Sequence, residues 1–168
     1  MNKCTLLIMR HAKSDWSVNR PDFGRPLNKR GLKDAARMGK WLRRQELLPD
    51  TVVSSPAKRA LHTTQIVCEQ AGMDRDAIIT DDRIYEAELG ELLDVINEHI
   101  QDRKSMLITG HNPGLDYLVR HLCNESPDLS ATGKLMTTAA IAILEFRKGF
   151  SDKPGSGQML ILARPKEI

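Results

Sequence analysis

Short apolar runs alternate along this chain with longer stretches of helical periodicity. In Thr5-Leu6-Leu7-Ile8-Met9, four consecutive apolar residues follow Thr5 and predict a fully buried strand. Thr51-Val52-Val53 and Met106-Leu107-Ile108-Thr109 predict two more, and Ile78-Ile79-Thr80 a shorter one. Behind Asn28, a good helix cap, Leu32, Ala35, Ala36, Gly39 and Leu42 recur at helical spacing until the chain reaches Pro49. Gly31 and Gly39 are expected to let this helix approach the sheet closely. Ser55 is expected to cap a second helix, with Pro56 at its first position, where a missing amide costs nothing; it runs through Ile66 and Val67 to Gly72. Leu89, Leu92, Leu93, Ile96 and Ile100 mark a third helix, and Leu115, Leu118, Val119 and Leu122 a fourth that starts near Pro113. Residues 138–146 and 159–163 predict two final strands joined by a Gly/Pro/Ser-rich turn at 148–157, while 14–26 and 81–88 are expected to be loops. This alternation predicts an α/β fold, a three-layer α/β/α sandwich around a mostly parallel sheet, with the last strands as candidates for antiparallel pairing.

Composition narrows the class. A length of 168 residues, 40% of them apolar and 28% charged, predicts one folded domain over residues 1–168 rather than a disordered chain. The first strand begins within a few residues of Met1 and no apolar run approaches spanning length, so neither a signal peptide nor a membrane segment is expected. Cys4, Cys68 and Cys123 are odd in number and lack metal-site spacing, which predicts a cytoplasmic protein without disulfides. The net charge of +3 is small and the basic residues are dispersed, so no nucleic-acid partner is expected. The densest basic stretch, residues 37–44, falls on the first helix and reads as its solvated face.

Chemistry gathers where the strands end. The first runs into Arg10-His11-Ala12-Lys13-Ser14, the second into Ser54-Ser55-Pro56-Ala57-Lys58-Arg59, and a later one into Gly110-His111-Asn112-Pro113-Gly114. In an open α/β sheet ligands bind beyond the carboxyl ends of the strands, so if these three are neighbours, two histidines and two arginines converge.

Arg10-His11, Ser55-Pro56-Ala57-Lys58-Arg59-Ala60 and Gly110-His111 together resemble the histidine phosphatase, or phosphoglycerate mutase-like, superfamily. Arg10-His11-Ala12-Lys13-Ser14, Arg25-Pro26-Leu27-Asn28-Lys29-Arg30-Gly31 and the short chain look most like its phosphohistidine phosphatase branch. The resemblance implies a phosphatase in which His11 is the nucleophile and forms a phosphohistidine intermediate that water then cleaves. Arg10 and Arg59 would bind the phosphate, since a planar guanidinium grips it in bidentate fashion and fixed cations stabilise a phosphoryl group in flight. The two arginines should also lower the pKa of His11, and His111 would be a further stabiliser of the oxygens.

In the superfamily an acidic residue follows the third strand. Glu86 best matches that proton donor, with Glu88 and Asp15 as rivals. A weakly specified acid fits an imidazole leaving group, which needs less protonation than an alkoxide. The short stretch between Arg59 and His111 leaves little to roof the site, and an open cleft admits a phosphorylated side chain on a protein. The expected substrate is therefore a phosphohistidine protein; a small phosphate ester and a non-catalytic phosphate-recognition module stand as alternatives. His62, His99 and His121 fall inside helices and read as surface or packing residues. No carboxylate cluster joins the histidines and the arginines repel cations, so no metal and no cofactor is expected.

Overall fold

Alternate residues of the first strand serve different layers, and the fold is built outward from that alternation. Leu6 and Ile8 pack into one core with Leu92, Ile96, Leu115 and Val119, whereas Leu7 and Met9 pack into another with Met38, Leu42 and Val67. Each such residue, fully removed from water, contributes about 1.5–3 kcal/mol of transfer free energy. The computed structural model describes residues 2–168. Chain order gives β1 (Cys4–Arg10), α1 (Lys29–Arg44), β2 (Thr51–Ser54), α2 (Lys58–Ala71), β3 (Ile79–Thr80), α3 (Leu89–Ile100), β4 (Ser105–Gly110), α4 (Gly114–Leu122), β5 (Ile141–Phe146) and β6 (Gln158–Ala163). The sheet order is β3-β2-β4-β1-β5-β6, parallel from β3 to β1 and antiparallel across β5 and β6. Helices α1 and α2 cover one face and α3 and α4 the other, giving the three-layer sandwich expected from the sequence.

Parallel pairing decides where the chemistry goes. Arg10 stands opposite Gly110, and Ser54 opposite Thr109, so β1, β4 and β2 deliver their carboxyl ends to one edge of the sheet.

Several local expectations need correcting. In α1, Leu32 is 40% exposed while Met38 and Trp41 are buried, because the helix turns its inner face toward α2 as well as the sheet. The glycines serve other neighbours too: a Cβ at Gly31 would overlap the Lys13 carbonyl in the loop after β1, and one at Gly39 would overlap Val67 of α2. Helix α2 is capped at Ala57 rather than Ser55, and Pro56 precedes it; the Ser55 hydroxyl accepts the Ala57 amide at 3.2 Å ahead of the helix and lies against His111 Nε2 at 2.7 Å. Strand β5 begins at Ile141 rather than at Thr138. Residues 138–140 turn instead, with Ala139 at φ 63°, and the Ala139 amide donates to the His11 carbonyl at 3.1 Å.

Candidate active site

The loop after β1 is pinned from three sides before any side chain acts. The His11 amide donates to the Gly110 carbonyl at 3.1 Å, the Arg10 amide to Ala140 at 3.1 Å, and the Ala12 amide to Thr63 Oγ1 of α2 at 3.0 Å. This fixes the imidazole of His11, which is buried at 7% exposure. Its Nδ1 lies 2.7 Å from the Ala12 carbonyl oxygen, an atom that can only accept, so Nδ1 carries the proton and Nε2 keeps its lone pair. Burial pushes the pKa of His11 down to about 3, with His111, Arg10 and Arg59 adding smaller effects and the Ala12 bond opposing. The arginines lower it as expected from the sequence, with burial the larger cause.

His111, from the turn after β4, holds its ring 5.2 Å from that of His11. Its Nε2 is 2.7 Å from Ser55 Oγ, and its pKa is pushed down to about 4, chiefly by burial and then by Arg59. Arg59 lies in the first turn of α2 and Arg10 at the end of β1, where Nη1 donates to the Met136 carbonyl at 3.1 Å. His11, Arg10, Arg59 and His111 line one cavity of about 190 Å3 together with Lys13, Asn112 and Thr138. Arg10 Nε, Arg59 Nε and His111 Nδ1 are three of the five buried polar side-chain atoms without a hydrogen-bond partner among the described residues. Buried polar atoms left unpaired are costly and normally avoided, and these three belong to residues that line one small cavity.

The carboxylates are not in this cluster. Glu86 is exposed, at φ 57°, and does not line the cavity; it follows Tyr85, whose ring meets His111 edge-on at 5.6 Å. Glu88 caps α3, its amide donating to Glu91 Oε1 at 3.1 Å. Asp15 accepts both the amide and the hydroxyl of Ser17, which lowers its pKa. The described residues contain no group of three or more His, Cys, Asp or Glu side chains placed to hold a metal.

Sequence reasoning missed the carboxylate closest to the cluster. Asp22 accepts from Tyr85 Oη at 2.6 Å, Arg25 Nη1 at 2.8 Å and Arg59 Nη2 at 3.0 Å, and these bonds, Tyr85's foremost, hold its pKa down at about 2. Arg25 also donates to Ser14 Oγ at 3.0 Å and stacks its guanidinium 3.6 Å from the ring centre of Trp16. The only available signal was Arg25 itself, in the stretch that resembles the family.

Comparison with known proteins agrees with this geometry. The model of the histidine phosphatase superfamily (branch 1) matches residues 6–103, more than half of the chain. An uncharacterised protein of Mycobacterium tuberculosis is 31% identical over 157 residues, covering 90% of this chain and 96% of that protein. A 2,3-bisphosphoglycerate-dependent phosphoglycerate mutase of Methylorubrum extorquens is 27% identical over 58% of this chain and 48% of its own length. Among solved structures, the protein histidine phosphatase SixA complexed with tungstate superposes with a TM-score of 0.80 at 23% identity, covering 96% of this chain and 97% of the other. A putative phosphohistidine phosphatase SixA from Agrobacterium tumefaciens gives 0.78 at 24% identity, covering 96% and 99%. No helix of the described residues is long and apolar enough to cross a membrane. With the family model spanning the β1 and β2 strand ends and the mycobacterial relative covering 90% of the chain, this chain belongs to the histidine phosphatase superfamily and is a phosphoric-group hydrolase.

Proposed function

We propose that this chain removes phosphate from phosphohistidine on a protein, working as one histidine-phosphatase domain without a metal. The observation that carries the reading is the small cavity with three unpaired buried polar atoms on the residues that line it. Its volume of about 190 Å3 is below the roughly 300–1,000 Å3 of pockets that enclose a whole small ligand. A phosphoryl group fits within it, and the rest of the substrate extends into the larger space alongside, which shares Arg10, Lys13 and Thr138, or over the surface, as the body of a protein does. The likeness to SixA structures, one of them complexed with tungstate, an oxyanion, supports the same class.

In this reading His11 Nε2 attacks phosphorus, a new N–P bond forms, and the P–N bond to the substrate imidazole breaks. The departing nitrogen takes a proton, and water then attacks the enzyme phosphohistidine to release phosphate and restore His11. The Nδ1–H bond to Ala12 holds the reactive tautomer. Arg10 and Arg59 meet the equatorial oxygens with fixed positive charge that needs no rearrangement during the reaction. Ser55 accepts the Ala57 amide and donates to His111 Nε2, leaving the His111 Nδ1 proton for an oxygen of the phosphoryl group. Glu86 is the proposed donor where the leaving group needs a proton.

Kinship with phosphoglycerate mutases keeps a small phosphate ester as the second reading, although those enzymes are about twice the matched length. Comparing kcat/KM for a phosphohistidine peptide with a panel of alkyl and aryl phosphates separates the two. The peptide is expected to be the better substrate. Preference for an alkyl phosphate overturns the choice, and absence of turnover on every substrate points to a phosphate-recognition module.

A further inference from the structure

A second, larger cavity opens beside the catalytic one. It has a volume of about 470 Å3 and shares Arg10, Lys13 and Thr138 with the first. Its other charged residues are Arg30, Lys134, Arg164, Lys166 and Glu167. Glu167 is held by Arg164 at 3.1 Å, and Asp34, just outside, faces Arg30 at 3.5 Å. Lys13, Lys134 and Lys166 form no ion pair among the described residues. This cavity therefore presents a surplus of positive charge directly next to the proposed phosphate site.

The same charge continues onto α1. Arg30, Lys33, Arg37, Lys40 and Arg44 are all exposed and spaced three and four residues apart, so they form one stripe along the helix. Arg30 belongs to both the cavity and the stripe. At 1.5 Å per residue, Arg30 to Lys40 spans about 15 Å. A small dianion would occupy one point of such a surface; only an extended partner uses its length. Stacking aromatics, which a single-stranded nucleic acid would exploit, are missing from the stripe, since Trp41 of α1 is buried.

We propose that this surface, running from Lys13 over Arg30 along α1 to Lys40, docks an acidic face of the phosphorylated protein beside its phosphohistidine. The inference rests on the phosphohistidine reading for its chemistry and on charge complementarity for its partner. Opposite charge across such a surface steers encounter and raises the association rate, and salt screens it.

The test uses the full chain and synthetic peptides of equal length. One is a phosphohistidine peptide flanked by glutamates, one has glutamines in their place, and one is the unphosphorylated glutamate peptide carrying a fluorophore. The glutamate phosphopeptide is expected to show a kcat/KM about tenfold above the glutamine one at low salt. That ratio is expected to fall toward one as salt rises and in the triple variant K33Q/R37Q/K40Q. Using the ratio cancels any loss common to both peptides. Equal kcat/KM for the two in the parent chain, or an unchanged ratio in the variant, overturns the docking surface. Fluorescence anisotropy of the unphosphorylated peptide reads docking without chemistry. Binding that weakens in the triple variant, with neither phosphopeptide hydrolysed, supports the surface and overturns the phosphohistidine reading instead. Tighter binding of a single-stranded oligodeoxynucleotide of matched charge overturns the choice of a protein partner.

Discussion

Arg59 and Asp22, 37 residues apart in sequence, are joined twice: Arg59 Nη1 donates to the Asp22 carbonyl at 2.6 Å and Nη2 to its carboxylate at 3.0 Å. The guanidinium that meets the phosphate in the proposed reaction is therefore aimed by a loop carboxylate that Tyr85 and Arg25 hold in turn. Replacing Asp22→Asn keeps the shape and removes the charge. It is expected to lower kcat/KM by about ten- to a hundredfold, the scale of a small misplacement of a positioning group. The effect should appear on every substrate alike, in steady-state rates.

The same carboxylate carries a pH signature. Its pKa is depressed to about 2 in the folded chain from 3.8. A depressed carboxyl stabilises fully above its unfolded pKa, and the contribution disappears as pH falls from about 4 toward 2. Acid unfolding followed by circular dichroism should show a shallower loss in that window for Asp22→Asn than for the parent.

His11 and His111 lose stability in the same direction, but in a window at higher pH. Burial lowers them to about 3 and about 4 in the folded chain, so both rings stay neutral at pH 7. Below about 6.5 the unfolded chain binds their protons first, and stability falls as pH drops toward 4. Ring resonances of both histidines in NMR spectra are expected to stay at their neutral positions from about pH 8 down to about pH 5. Movement centred near 6.5 would show that the site is wetter than its burial implies.

The ends of β1, β2 and β4 were legible because uninterrupted apolar runs stop abruptly at Arg10, Ser54 and Thr109, and a parallel sheet brings such ends together. Asn28 was legible for a local reason, and its side chain accepts the Gly31 amide at 2.8 Å. Ser55 looked the same but its hydroxyl lies against His111, 56 residues away, a partner that no local rule reveals. Asp22 and Tyr85 were invisible on the same ground: they sit in aperiodic loops 63 residues apart and meet only because the fold brings them together, with Asp22 also bonded to Arg59. Leu32 and Trp41 exchanged burial because packing against α2, rather than periodicity alone, chose the inner stripe.

Glu86 separates substrates by their leaving groups. Glu86→Gln is expected to slow alkyl phosphate hydrolysis by roughly 10² or more, within the ordinary range for general acid catalysis, and phosphohistidine hydrolysis much less. Equal loss on both would make Glu86 a residue that holds Tyr85 and His111 in place. No loss on either would move the role to Glu88 or Asp15.

Positive charge at the reaction centre comes from Arg10 and Arg59 in this account, so turnover is expected to be unchanged by a strong chelator and by added magnesium. Loss on chelation, restored by a divalent ion, would reject that part of the mechanism.

Covalent phosphorylation of His11 is the central claim, and trapping it is the most direct measurement. The parent chain is mixed with a radiolabelled phosphohistidine peptide, stopped in alkali to preserve the N–P bond, and digested for mass spectrometry. The account predicts label on His11 alone, no label and no turnover in His11→Ala, and turnover reduced about 10²- to 10³-fold in Arg10→Ala or Arg59→Ala, the scale of one lost transition-state donor. Label on another residue, or a His11→Ala chain that hydrolyses the peptide at the parental rate, would contradict it.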